Sequence, residues 1–142
     1  MVSPKRGKTK AGRPMHYVVG AVLEHDGKFL LIDRVYTPLG FAGIAGHIDE
    51  GETPEQAIIR EVKEESDCRV VEQKLIKEEE LPWNLCRHGY AHYWHVFRCV
   101  IDGKVKRNEK EEKSIGWYTP EEIKQLPLEP VWEYWFRKLQ II

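Results

Sequence analysis

Long apolar runs are missing from this 142-residue chain. That excludes a membrane-spanning helix, which needs about 20 consecutive apolar residues. No charged-then-apolar leader opens the sequence either, so the expected location is the cytoplasm. Cysteine is scarce: Cys68, Cys86 and Cys99 are an odd number with no CxxC pair, which reads as free thiols in a reducing compartment rather than a disulfide framework. Neither sign of charge dominates, with 22 Lys and Arg against 23 Asp and Glu and a net charge of −1. A chain so balanced has no global field to gather nucleic acid or an anionic membrane. Charge itself is abundant, at 32% of residues, and five Trp and six Tyr offer aromatic surface for stacking on bases. The length suits one domain with a full core.

Residues 1–14 carry Lys5, Arg6, Lys8, Lys10 and Arg13 with no acid, and are expected to form a flexible basic tail ahead of a single domain over 15–142. Strands are expected over His16–Glu24 and Lys28–Arg34, joined through the turn His25-Asp26-Gly27. A short strand over Phe41–Ala45 follows, then a helix. Beyond it come strands over Arg69–Lys77, Tyr90–Ile101 and Ile115–Tyr118. Thr119-Pro120-Glu121-Glu122 is a capping box opening a short helix to Gln125. A last helix runs from Glu129-Pro130 to Leu139 and packs Trp132 and Trp135 on the sheet. Strands before and after a capped helix predict an α/β fold, a mixed sheet flanked by helices on both faces.

The most informative stretch is Gly46–Cys68, GHIDEGETPEQAIIREVKEESDC. It begins as a Gly-bearing loop and becomes a helix. Thr53 is a good N-cap, Pro54 suits the first helical position, and Gln56 completes a capping box. From Pro54 to Ser66 nothing breaks the helix. At about 100° per residue, Glu61, Glu64 and Glu65 fall within one arc beside Ala57 and Ile58, at the margin of the core. Like charges at that spacing oppose one another by roughly 0.2–0.5 kcal/mol, and partial burial adds a desolvation cost. A hard divalent cation removes both penalties, because carboxylate oxygens suit Mg²⁺. Taken alone, the same acids read equally as a solvated face.

The spacing Gly46, five residues, Glu52, seven residues, Arg60-Glu61-Val62, one residue, Glu64-Glu65 resembles the signature of the Nudix (MutT-like) hydrolases. With each residue type at roughly 7% usage, a chance match at these positions is on the order of 1 in 100,000. Two positions depart from the pattern. Asp67 stands where the family has Gly, and Asp tolerates the left-handed helix exit better than most residues. Cys68 replaces an aliphatic residue and can fill its place. Upstream, Phe41-Ala42-Gly43-Ile44-Ala45 replaces the family's Trp-x-x-Pro-Gly run, which loosens the inference about the loop before Gly46.

The resemblance implies a Nudix-type α/β/α sandwich and hydrolysis of a nucleoside diphosphate linked to another moiety. It implies Mg²⁺, or Mn²⁺ in its stead, held by Glu61, Glu64, Glu65 and the Gly46 carbonyl. Glu61 is the favoured general base, with Glu65 or Glu112 behind it. Arg60 is expected to pair with Glu52 and hold the loop on the helix. A further acid is expected from Glu109, Glu111 or Glu112, and Glu112 is counted with the metal ligands; a solvated charge run is the plain alternative. His47, Arg87 and Trp83 are the substrate-contact candidates, Arg87 because its guanidinium suits phosphate.

Cys86, His88, His92 and His95 invite a zinc reading, but His92 and His95 are three apart in a strand and point to opposite faces. A small-molecule nucleotide is the expected partner, without membrane or nucleic acid; a homodimer stays open. The leading substrate is a nucleoside triphosphate cleaved to monophosphate and pyrophosphate. ADP-ribose, a nucleotide sugar or a dinucleoside polyphosphate is the alternative. A non-catalytic nucleotide-binding module and an isoprenoid diphosphate isomerase stand further off: the first is expected to lose its glutamates, and the second needs a Cys and Glu pair that cannot be placed.

Overall fold

Strand β2 (Pro14–His25) is the spine of the protein, seen in a computed structural model that describes residues 2–142. Its run from Val18 to Leu23 is buried throughout, as a strand paired on both edges and covered on both faces requires. On one edge it runs parallel to β7 (Ala91–Asp102), from Met15 opposite Ala91 to Leu23 opposite Cys99. On the other it is antiparallel to β5 (Ile44–His47), with Val18 opposite His47. The Asp26-Gly27 turn, both residues at positive φ, returns the chain into β3 (Lys28–Arg34), the backbone twist that a two-residue hairpin favours. β3 then pairs with β4 (Phe41–Ala42) and β8 (Glu112–Tyr118), while β6 (Arg69–Leu81) lies outside β7. The result is a mixed eight-stranded sheet.

Helix α1 (Pro54–Ser66) has the expected bounds. Thr53 and Gln56 exchange both capping-box bonds, and Asp67 closes the helix at φ 62° in the left-handed region. α1 lies over β5, β2 and β6. Helix α2 (Pro120–Ile123) carries the second capping box, and α3 (Pro130–Lys138) buries Val131, Trp132, Trp135 and Phe136. The Trp132 ring fills the space where a Cβ on Gly20 or Gly43 would stand. Helices therefore cover both faces, and the architecture is an α/β/α sandwich. No helix among the described residues is long and apolar enough to cross a membrane.

Four expectations need correction. The basic segment is not a free tail. Arg6–Lys8 forms β1, antiparallel to β2 with Arg6 opposite His16, and Lys5 N–H donates to the Ile48 carbonyl at 2.7 Å. Its cations rest on aromatic faces, Lys5 over Tyr17 at 4.9 Å and Arg6 over Tyr90 at 5.8 Å, so its charge does not stop it pairing with the sheet, although its side chains stay exposed. The strand expected over 41–45 is two strands broken at Gly43, where β4 pairs with β3 and β5 with β2. β6 runs on to Leu81 because Glu78–Leu81 continues the ladder with β7; a charged outer strand is ordinary edge chemistry. β8 begins at Glu112 rather than Ile115, pairing that residue with Arg34 past a bulge.

Candidate active site

The loop from β5 into α1 brings the helix acids against strand backbone. Glu65 Oε2 accepts from Ala45 N–H at 3.2 Å. One residue on, a Cβ at Gly46 would overlap the Glu61 carboxylate, so glycine here makes room for an acid rather than for an unusual backbone. Arg60 ties the loop to the helix. Its Nε and Nη2 donate to Glu52 Oε2 and Oε1 at 2.8 and 2.9 Å, Nη2 also donates to the His47 carbonyl at 2.9 Å, and Nη1 donates to Glu61 Oε1 at 2.8 Å. Glu52 Oε1 in turn accepts from Asp49 N–H at 3.0 Å. A forked guanidinium, not a point charge, is what such a knot requires.

Negative charge outweighs positive charge at this wall. Burial pushes the Glu61 carboxyl up to about 7, against the pull of Arg60. Burial also raises Glu65 well above the usual carboxylate range, and the neighbouring Glu61, Glu111 and Glu112 add to it. Glu64 is half exposed, on the solvent side of the same arc. Acids that are buried side by side and reluctant to ionise are what a cation would stabilise. The carboxylate oxygens form a donor set that fits the hard cation expected from the sequence.

These residues line one wall of a cleft of about 740 Å³, which Gly46, His47, Arg60, Glu61, Glu64 and Glu65 share with Arg34, Arg87 and Glu111. Glu111, not Glu112, faces that space. The Glu112 side chain is fully buried; its Oε1 accepts from Asn108 N–H at 3.0 Å and its Oε2 has no partner. Burial pushes it up to about 7. The intervening loop is pinned to α1 by Asn108 Nδ2 donating to the Glu64 carbonyl at 3.1 Å and by Lys106 N–H donating to the Ser66 carbonyl at 2.8 Å. Trp83 stays outside the cleft lining and sets its ring edge-on to Tyr134 of α3, with centroids 5.5 Å apart. It is an outer brace between loop and helix.

Three cleft residues, Glu129, Arg34 and His16, are not marked as site residues by the sequence. Glu129 was read only as the start of α3, yet it makes no side-chain cap bond and is buried in the cleft. Its Oε2 lies 3.2 Å from Arg34 Nε, whose N–H is spent on the Pro38 carbonyl at 2.8 Å. Burial raises its carboxyl. His16 is the third, and strand register finds it: His16 stands opposite His92 in the β2–β7 ladder, while β5 brings His47 to the other edge of β2. His92 and His95 do face opposite sides. His92 Nδ1 bonds the Asn84 carbonyl at 2.7 Å near the cleft, whereas His95 sits between Tyr17 and Tyr93. Burial lowers His47 to about 4 and also lowers His16 and His92.

A helix of glutamates anchored by an internal arginine and opening on a polar cleft is the arrangement of an acid-anhydride hydrolase. The chain matches the NUDIX domain over residues 14–139, and it belongs to the Nudix (MutT-like) hydrolase family, whose members act on pyrophosphate bonds. It is 35% identical to a MutT-like protein of Streptomyces ambofaciens over 79% of this chain and 70% of that one. It is 32% identical to the CTP pyrophosphohydrolase of Escherichia coli over 80% of this chain and 82% of that one. The crystal structure of a MutT NUDIX hydrolase from Burkholderia pseudomallei superposes with a TM-score of 0.75 at 22% identity, covering 84% of this chain and 94% of that one.

Proposed function

We propose that the protein is a Mg²⁺-dependent pyrophosphohydrolase that cleaves a nucleoside triphosphate to the monophosphate and pyrophosphate. The observation that carries this reading is the set of acids at the cleft wall, Glu61 and Glu65 buried and Glu64 at the rim, around the Gly46 backbone. The similarity to a CTP pyrophosphohydrolase over most of both chains supports a triphosphate ahead of the larger nucleotide substrates.

Glu61, Glu64, Glu65 and the Gly46 carbonyl would hold the cation, with Mn²⁺ serving the same oxygens. When bound, it neutralises the diphosphate and makes a bound water more acidic. The rest follows from the chain's own groups. Arg60 holds Glu61 through Oε1 and so orients the carboxylate that would take the water's proton. As the proton moves to Glu61, the water oxygen bonds to phosphorus, the bridging P–O bond breaks and pyrophosphate leaves. Arg87 and His47 line the cleft and would contact the phosphates, Arg87 offering paired donors. Arg60 positions its neighbours without touching substrate.

The test is release of phosphate and pyrophosphate over a panel of ribo- and deoxyribonucleoside triphosphates (oxidised ones included), ADP-ribose, sugar nucleotides and dinucleoside polyphosphates, with and without Mg²⁺. Mg²⁺-dependent pyrophosphate release from triphosphates is the expected result. Turnover confined to ADP-ribose or sugar nucleotides would replace the substrate assignment. Nucleotide-induced stabilisation without turnover would make the protein a binding module.

A further inference from the structure

We propose that His16, His47 and His92 form a second metal site, separate from the carboxylates, that takes one zinc-like ion with a coordination position left open to the cleft. One ring nitrogen from each of the three residues lies within 4.8 Å of the others. The residues come from three different strands, so the site is a product of the fold and not of a local sequence motif. β2 supplies His16, β7 places His92 directly opposite it, and β5 contributes His47 from the far edge of β2. The rings are close enough to converge, with His16 and His47 centroids 4.7 Å apart and His47 and His92 centroids 5.6 Å apart.

The surroundings are those of imidazole ligands. His92 Nδ1 meets the Asn84 carbonyl at 2.7 Å, so this nitrogen carries the proton and Nε2 keeps its lone pair. A backbone carbonyl holding the remote ring nitrogen is the usual support of a metal-binding histidine. Asn84 is itself fixed, because its Oδ1 accepts from Trp94 Nε1 at 2.8 Å. His16 is held from the other side by the Tyr90 ring, stacked at 4.3 Å. It is buried, and its Nδ1 has no hydrogen-bond partner, an unsatisfied state that native interiors avoid. No carboxylate belongs to the triad.

The donor type sets the ion. Three imidazoles select zinc and its neighbours in the first transition row, whereas the all-oxygen wall around Glu65 selects Mg²⁺ or Mn²⁺. Three protein ligands and an open position define a site that binds something further. All three residues line the cleft, so the open position would take a water or an anionic oxygen entering there. Of the four residues that suggested zinc in the sequence, only His92 takes part; the others in this site were hidden by strand register.

The test uses the full chain, stripped by chelator and held in excess Mg²⁺ so that the carboxylates are occupied. Co²⁺ is then titrated in and followed by visible absorption, because four-coordinate Co²⁺ absorbs far more strongly than six-coordinate Co²⁺. One equivalent giving the intense bands, displaced by one equivalent of Zn²⁺, is the expected result. His47→Gln and His92→Gln should each weaken Co²⁺ binding at least tenfold, while Glu65→Gln leaves it unchanged. Histidine ring ¹⁵N spectra of the unsubstituted protein answer the same question without relying on a variant's folding. Zn²⁺ should shift the rings of His16, His47 and His92 and leave His25, His88 and His95 in place. Absence of the bands, their survival in folded His47→Gln and His92→Gln, their loss in Glu65→Gln, or shifts confined to the other histidines would each overturn the site. None of these readouts depends on turnover, so the proposal stands or falls apart from the assignment of substrate.

Discussion

Gly46 and Glu61 compete for one volume: a Cβ on the first would overlap the carboxylate of the second. The motif glycine is thus required by a side chain packed against it. Gly46→Ala should push the Glu61 carboxylate off the cleft wall. Overpacking of this kind costs about 1–3 kcal/mol, and a misplacement of about 1 Å at reacting groups lowers turnover by about 100-fold. Urea denaturation and steady-state kinetics of the variant check both figures. An alanine variant with wild-type turnover would show that Glu61 does not need this contact.

Arg60 commits its donors to Glu52, His47 and Glu61 at once. Lysine keeps the charge but has no fork. Arg60→Lys should therefore lose about 1.5–3 kcal/mol of stability, the usual worth of a hydrogen bond to a charged group. Turnover should fall at least tenfold while KM changes little, because Arg60 places Glu61 and the loop rather than the substrate. A large rise in KM at unchanged kcat would instead put Arg60 in contact with the nucleotide.

The metal-free protein should lose stability as pH rises above about 6.5. Glu61 and Glu112 are raised to about 7 and burial lifts Glu65 well above the usual carboxylate range, so the folded state holds protons that the unfolded chain releases near 4.5. Stability from these groups is full below 4.5 and is lost as pH climbs through the folded values. The lowered histidines work in the opposite sense. His47, lowered to about 4, adds stability as pH rises from there to 6.5 and nothing more beyond it. Above 6.5 the acids alone remain. Thermal melts at pH 6.5 and 8.5 should show the fall, Mg²⁺ should reverse it, and Glu65→Gln should flatten it. A melting temperature that rises over this interval without metal would contradict the burial of these acids.

The helix was legible because its ends are written in local chemistry. Thr53, Pro54 and Gln56 fix its start and Asp67 its exit, so its bounds follow from neighbouring residues alone. β1 was not legible, because three residues of an edge strand, Arg-Gly-Lys, carry no apolar alternation and are held by backbone bonds and by Tyr17 and Tyr90. The motif named the helix acids, but which of Glu111 and Glu112 faces the cleft depends on where β8 starts and on the bulge beside Arg34. The cluster of His16, His47 and His92 needs the register of three strands, none of which neighbouring residues determine. Sequence reaches as far as local capping, spacing and periodicity; register carries the rest.

The start of β8 and the bulge beside Arg34 separate two adjacent acids. Glu111 lines the cleft, so Glu111→Gln should lower turnover at least tenfold with little change in the melting temperature, since an exposed wall residue contributes within about 0.5 kcal/mol. Glu112→Gln should do the reverse. The amide oxygen can keep the bond from Asn108 N–H, while the charge that burial opposes is gone. Turnover should stay within about twofold, because the Glu112 side chain is fully buried and lines no part of the cleft. The metal-free variant should melt higher than the parent at pH 8.5 and equally at pH 5, where the Glu112 carboxyl is already protonated. If Glu112→Gln abolished turnover and Glu111→Gln did not, the buried acid would be the working one. The loop pinned to α1 through Asn108 and Lys106 would then have to open when the site is loaded.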